Sequence, residues 1–355
     1  MNKKLFIPGP TDISPDVIEA MSKPMIGHRG KDFKLLFEDS VEKLKKLMFT
    51  QNRVYISTSS STGLMEAAVR NCVKNKCLNV GNGAFSCRWH DITKANGKEA
   101  DMLSLGWGEA PTAELIDEAL SKDDYDALTL VHNETSTGVT APMQEIAEVV
   151  KDHDASFLVD TVSSMGGIKV DVDGWGIDVC LFGVQKAMAL PAGLACCSIS
   201  EKALEKSRKV EDRGYYFDFQ VFEKYFNRNQ TPTTAAISIL QGLNYQLGKI
   251  LNIEGLDNRF IRHQKMGDLT RKWVKENGLE LLPEERYTSN TVSCVKNTLG
   301  LDCEALQEKL YDRGYVFSNG YGKMKNDYFR IAHMGDRSID ELEEYLGVIE
   351  EIAGL

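Results

Sequence analysis

The sequence predicts an α/β protein built around a mostly parallel sheet, and three observations predict it. Short apolar segments of strand length alternate with amphipathic helical ones from residue 54 to residue 199, the pattern of successive βαβ units. The polar clusters of that region are Ser60–Thr62, Asn133–Thr137, Asp160 and Gln185-Lys186. Each lies at the carboxyl end of a predicted strand, the sheet edge where open α/β folds gather their ligands. No repeat, low-complexity run or flexible linker interrupts the pattern.

In chain order, Leu5 to Asp12 reads as an extended arm that turns at Gly9, because Pro8 and Pro10 forbid a helix there. A short helix follows from Pro15 to Met21 and a loop from Met25 to Gly30. An amphipathic helix then runs from Asp32 to Met48, with Phe33, Leu36, Phe37, Val41, Leu44 and Leu47 at helical spacing. Strand Val54–Ser57 leads through the hydroxyl-rich run Thr58 to Gly63 into a helix from Leu64 to Asn71. Six more strands are expected: Cys77–Val80, Asp101–Leu105, Ala127–Val131, Ser156–Asp160, Val179–Phe182 and Ala195–Ile199. Helices fall between several of them, near 85–96, 112–120 and 146–151. The apolar period then predicts one long helix from Ala235 to about Lys265 and another from Met266 to Asn277. The last part alternates strands at 291–295 and 329–332 with helices at 305–313 and 339–352. This divides the chain into an N-terminal arm (1–16) packing near the small domain, a large domain (17–250) and a smaller C-terminal α/β domain (251–355).

Hydrophobic residues make up 42% of the 355 and charged residues 26%, which suffices for a substantial core. A net charge of −10 argues against nucleic acid or an anionic membrane as partner. Small anionic substrates stay open, since local basic residues decide binding in a cleft. The eight cysteines are scattered and form no C-x-x-C pair. They read as buried free thiols in a reducing cytosol, and no metal site is expected. The apolar run near Leu5 is too short for a signal peptide, and no stretch reaches membrane-spanning length. The expectation is a soluble cytoplasmic protein.

Lys186 is the residue in the least usual setting. Lysines are ordinarily solvated, yet this one follows the apolar run Val179–Phe182 and precedes another, Ala187 to Leu190. Upstream, Asp160 ends Phe157-Leu158-Val159. An acid at one strand end and a lysine at another are what a pyridoxal phosphate site needs. The acid faces the ring nitrogen, and the amine forms a Schiff base with the aldehyde. The plain alternative for Asp160 is a turn or helix-capping carboxylate. Val162 suits one ring face and Phe85 the other, although Phe85 reads equally well as core. Ser60, Ser61 and Thr62 open a helix after a strand. That is either a phosphate site or a capping cluster. The polar loop His132 to Gly138 either bonds the cofactor's ring hydroxyl or caps a helix. Arg330 alternates with apolar residues, and is either structurally paired or aimed into a cleft for a substrate α-carboxylate.

Several segments, taken in order and spacing, resemble the class V aminotransferases of pyridoxal-phosphate fold type I, most closely their alanine–glyoxylate/serine–pyruvate branch. They are Pro8-Gly9-Pro10-Thr11, Pro24 to Arg29, Ser60 to Ala68, His132 to Gly138, Val159 to Gly167, Gln185-Lys186 and Phe329-Arg330-Ile331. The resemblance covers essentially the whole chain. It implies a large domain with a mostly parallel seven-stranded sheet and a smaller C-terminal α/β domain. Lys186 is implied as the Schiff-base lysine and acid–base catalyst, and Asp160 as the partner of the pyridine nitrogen. Thr135 is implied for the ring hydroxyl; Ser60, Ser61, Thr62 and Gln185 for the phosphate; Arg330 and the backbone at Gly9 for the substrate carboxylate. Family members are homodimers with shared active sites. Thr231, in Asn229-Gln230-Thr231-Pro232, matches the residue lent to the neighbour's phosphate, although the segment before it departs from the branch's usual one. Phe85 stands where the branch often has tryptophan.

The implied reaction is a ping-pong transamination from alanine or serine to glyoxylate or pyruvate. Phosphoserine is the alternative donor, with His28 and Arg29 reading its second anionic group. Arg29 equally suits pairing with a structural carboxylate. A cysteine desulfurase needs a nucleophilic cysteine on a mobile loop. Cys294 sits in a strand pattern and Cys303 in a turn before a helix, and neither fits. A non-catalytic binding protein would keep the pocket without the chemistry. A nucleotide binder lacks support, because no G-x-G-x-x-G or P-loop pattern follows a strand.

Overall fold

A computed structural model describes residues 3–355. Strand β1 (Lys4–Leu5) and helices α1 (Pro15–Met21) and α2 (Lys31–Met48) come first. Strands and helices then alternate through β2 (Arg53–Ser57), α3 (Ser61–Cys72), β3 (Lys76–Gly81), α4 (Ala84–Ala95), β4 (Glu99–Ser104), α5 (Ala113–Leu120) and β5 (Ala127–Val131). A small hairpin, β6 (Asn133–Glu134) and β7 (Val139–Thr140), precedes α6 (Met143–Val150). Next come β8 (Ser156–Asp160), β9 (Val179–Gly183) and β10 (Ala195–Ile199).

Every residue of β5, β8, β9 and β10 is buried, as expected of strands covered on both faces. Seven strands form one sheet in the order β2-β10-β9-β8-β5-β3-β4. Within it β4, β3, β5, β8 and β9 run parallel, and β10 runs against both β9 and β2. The mostly parallel seven-stranded sheet expected from the sequence is thus present. One apolar cluster joins the sheet to α2, α5, α6 and a later helix through Phe33, Leu44, Ile116, Ile146 and Leu240. A second covers the other face through Leu64, Ala68, Leu204 and Phe219. With β8 and β9 adjacent and Asp160 opposite Leu181, Asp160 and the residues following β9 leave the sheet at the same edge.

Two helices lie where the sequence predicts no element. They are α7 (Glu201–Arg208), capped by Ser200, and α8 (Phe219–Phe226), capped by Asp218. The long helix expected from Ala235 to Lys265 is also corrected. α9 (Ile237–Gly248) passes into a π-helical turn over Lys249–Glu254, and α10 (Leu256–Glu276) begins anew. The apolar period runs on through Ile250 and Ile253, but Gly255 adopts φ +80°, which other residues rarely take.

Beyond it lie β11 (Glu280–Leu281), β12 (Val292–Lys296), α11 (Cys303–Asp312), β13 (Tyr315–Val316), β14 (Ser318–Asn319), β15 (Tyr328–Ala332) and α12 (Ile339–Ala353). A four-stranded antiparallel sheet runs β11-β12-β15-β14. β1 pairs in parallel with β13. Phe6 is fully buried beside that pair and stacks on Tyr345 at 3.9 Å between ring centroids. Residues 7–11 then return towards Lys186. No helix among the described residues is long and apolar enough to cross a membrane.

One buried cation ties these parts together. Arg259, on α10, is 1% exposed. It donates to the carbonyls of Gly166 (2.6 Å) and Ala187 (2.5 Å) and pairs with Glu254 and Asp336. It therefore fixes the loop after Asp160, the residue after Lys186 and the segment after β15 to one another. Arg259→Met should destabilise the protein by about 3–5 kcal/mol in chemical denaturation, because the Gly166 and Ala187 carbonyls lose a buried donor and Glu254 and Asp336 keep only Arg262 and Lys249 as cationic partners. A loss below about 1 kcal/mol would show that the network is not needed to hold these segments.

Candidate active site

The turn from β2 into α3 carries the hydroxyl cluster. Ser60 occupies the capping position, but its side chain makes no capping hydrogen bond. The Ser61 hydroxyl is buried and has no partner. These hydroxyls are therefore not used for capping, and with the free N–H groups of α3 they face a cavity of about 150 Å³. Its lining includes Ser60, Ser61, Thr62, Phe85, Thr135, Asp160, Val162, Gln185 and Lys186. Nine of the residues singled out in the sequence thus meet at one place.

Lys186 sits just past β9, and its Nζ donates to the Pro8 carbonyl. The arm is held against it by Thr11, whose Oγ1 donates to the Lys186 carbonyl at 2.9 Å and whose N–H donates to the Gln185 carbonyl at 3.2 Å. Gly9, at φ +86°, is needed at this approach. A Cβ there would stand 2.5 Å from Lys186 Cδ and 3.0 Å from Nζ. Burial first, and the Arg330 charge second, lower the Lys186 amine to about 8. Asp160 is 5% exposed, and burial pushes its carboxyl up to about 7. One of its oxygens accepts the Val162 N–H at 2.7 Å, so it closes a turn while remaining in the cavity wall.

The loop after β5 is ordered from inside. Thr135 and Ser163 share a short hydroxyl contact. Glu134, fully buried, accepts the N–H groups of Phe85 (3.2 Å), Ser86 (2.7 Å) and Ser136 (3.0 Å) and the Ser136 hydroxyl (2.6 Å). A carboxylate at the start of α4 satisfies free helical N–H groups and complements the helix dipole. It also fixes Phe85 at the cavity.

Arg330, on β15, stands beside this cavity rather than in its lining. Its Nη1 donates to the Thr135 carbonyl (3.3 Å), Nη2 to Ser318 Oγ (3.0 Å) and Nε to the Asn319 carbonyl (3.3 Å). Among the described residues no carboxylate pairs with it. The guanidinium is thus held at the edge of the cavity by neutral partners. Tyr321 bridges Arg330 and Phe85, with its ring 5.4 Å from the guanidinium and 5.3 Å from the Phe85 ring.

His28, Arg29 and Thr231 are not brought to this cavity. Arg29 donates to the carbonyls of Thr231 (2.6 Å) and Pro232 (3.0 Å), not to the structural carboxylate considered for it. The Thr231 hydroxyl donates to the Thr233 carbonyl at 2.7 Å. His28 lines a separate surface groove with Met25, Ile26 and Ile239. Three residues near Lys186 carry no expected role: Glu134, Tyr321 and Arg88, the last a cation in the cavity wall. Of these only Arg88 had a usable signal, since helical spacing puts it on the same face as Phe85.

Residues 5–311 match the family described as aminotransferase class-V. The chain is 41% identical to an uncharacterized aminotransferase of Methanocaldococcus jannaschii, over 99% of this chain and 92% of that protein. It is 35% identical to a serine–glyoxylate aminotransferase of Hyphomicrobium methylovorum, over 93% of this chain and 84% of that one. The crystal structure of an alanine–glyoxylate aminotransferase from Nostoc sp. superposes with a TM-score of 0.94 at 28% identity, covering 99% of this chain and 95% of that one. The cavity at the sheet edge occurs on a chain that belongs, by sequence and by fold, to the class V aminotransferases of fold type I, and the protein is a transaminase.

Proposed function

We propose that this transaminase uses pyridoxal 5′-phosphate to move an amino group from a small amino acid, alanine or serine, to a 2-oxo acid, glyoxylate or pyruvate. The observation that carries the cofactor is the meeting of a buried lysine, a buried carboxyl and an unpartnered buried serine hydroxyl in one cavity. That set suits a flat ring with a phosphate at one end and a basic nitrogen at the other. When bound, the cofactor supplies an aldehyde and an electron-withdrawing ring that accepts negative charge from the donor's Cα.

The chain's own residues do the rest. Ser60, Ser61, Thr62, Gln185 and the α3 N-terminus hold the phosphate. Asp160 holds the proton on the ring nitrogen, Thr135 bonds the ring hydroxyl, and Phe85 and Val162 flank the ring. Lys186 Nζ takes the proton from the donor's Cα, a task for a neutral amine, and burial favours that form. Arg330 and the Gly9 backbone orient the donor carboxylate. The enzyme works as a homodimer, with Thr231 lent to the neighbour's phosphate. The cofactor-binding part spans residues 17–250, and 251–355 form a smaller domain that brings Arg330.

A glyoxylate acceptor is supported by two relatives named for it, one with serine and one with alanine as partner. The desulfurase reading is disfavoured, because burial holds the thiols of Cys294 and Cys303 up at about 12 and about 11. Neither is then a ready nucleophile. Steady-state rates for alanine, serine, aspartate and phosphoserine with glyoxylate test the substrate. Preference for either of the last two, which carry a second anionic group, would sink the small-donor reading. Arg330→Gln should raise the donor KM by about 10- to 100-fold, the worth of a charge-assisted hydrogen bond pair. Its effect on kcat should be smaller. An unchanged KM would remove Arg330 from carboxylate binding.

A further inference from the structure

We propose that Arg88 supplies the positive charge that holds the cofactor phosphate and braces Phe85 against the cofactor ring; this rests on the pyridoxal-phosphate reading above. The argument begins with charge. A phosphate monoester carries about −1.5 to −2 at neutral pH. Every group so far assigned to it is neutral: Ser60, Ser61, Thr62, Gln185 and the neighbour's threonine. The N-terminus of α3 contributes only about half a positive charge. A buried anion without a compensating cation is costly, and Lys186 and Arg330 have other tasks.

Arg88 is the remaining cation of the cavity wall. Its Nη1 lies 3.4 Å from Thr62 Oγ1, a contact at the long end of hydrogen-bond range that leaves the donors largely free. Among the described residues no carboxylate forms an ion pair with it. Its guanidinium lies over the Phe85 ring at 4.7 Å from the centroid. Phe85 and Arg88 are three residues apart on α4, so they share a face. Glu134 ties the first turn of that helix down. A planar guanidinium can stack on the ring with its face and present a two-pronged edge to a phosphate, which a lysine cannot do.

The test loads cofactor-free protein with pyridoxal phosphate and, separately, with pyridoxal, which lacks the phosphate. The visible absorption band of the bound compound reports affinity. Arg88→Gln should weaken pyridoxal phosphate by about 10- to 100-fold, with a much smaller loss for pyridoxal, which keeps only the brace on Phe85 to lose, and with the far-ultraviolet circular dichroism of the cofactor-free protein intact. Arg88→Lys should recover only part of the loss. Equal losses for the two compounds, or none for pyridoxal phosphate, would overturn the role of Arg88 alone. If Arg88 instead reads a second charge on the donor, only the KM of acidic donors would rise, which also overturns it. Wild-type protein that binds neither compound would overturn the cofactor reading together with this one.

Discussion

Lys186→Ala should lower kcat for transamination by on the order of 10,000-fold, the upper range for loss of a positioned acid–base group. The visible absorption of the loaded protein should change with it, because the covalent attachment point is gone. The size of the effect follows from the surroundings. No other amine lines the cavity, so no second residue can take over at the donor's Cα. Alanine would also open a hole beside Gly9, so Lys186→Met is the companion variant that keeps the packing. A Met variant retaining more than about a tenth of the wild-type rate would remove Lys186 from the chemistry. The same residue predicts a pH signature in the cofactor-free protein. Its folded pKa of about 8 lies below the ordinary 10.5. Between those values the unfolded chain binds more protons than the folded one, so stability rises with pH across that window. The penalty for burying the charge is complete below about 8 and absent above 10.5. Lys186→Met should lack this rise in pH-resolved denaturation.

The sheet was legible because its central strands are apolar throughout and separated by helical periods, so length and pattern agreed. The helix boundary near 255 was not, since periodicity carries no information about the backbone angle at Gly255. The missed helices α7 and α8 are short, and their cues were the capping residues Ser200 and Asp218. At the site, sequence order revealed the residues that follow strands: Ser60, Thr135, Asp160 and Lys186. It did not reveal residues whose role depends on partners distant in the chain. Glu134 reaches α4, Arg259 joins Gly166, Ala187 and Asp336, and Tyr321 meets Phe85. Each of these contacts exists only once the chain has folded.

Asp160→Asn should have opposite effects on the cofactor-free and loaded protein. In the cofactor-free protein the carboxyl is buried and held up at about 7 against an ordinary 3.8. Between these values the folded state binds more protons than the unfolded one, so stability falls as pH rises from about 4 to about 7. Below that window there is no penalty, and above it the penalty is complete. Asparagine can still accept the Val162 N–H, but carries no charge to bury. At pH 8 the cofactor-free variant should therefore be more stable than wild type by on the order of a few kcal/mol, read by urea denaturation. Catalysis should move the other way. Without a carboxylate opposite it, the ring nitrogen is no longer held protonated, and kcat should fall by about 100- to 1,000-fold, as for other losses of a positioned electrostatic group. A purely structural Asp160 would predict the reverse pairing: a less stable cofactor-free protein with an unchanged rate once loaded. The two measurements together separate a residue kept for the turn at Val162 from one kept, against stability, for its charge at the ring.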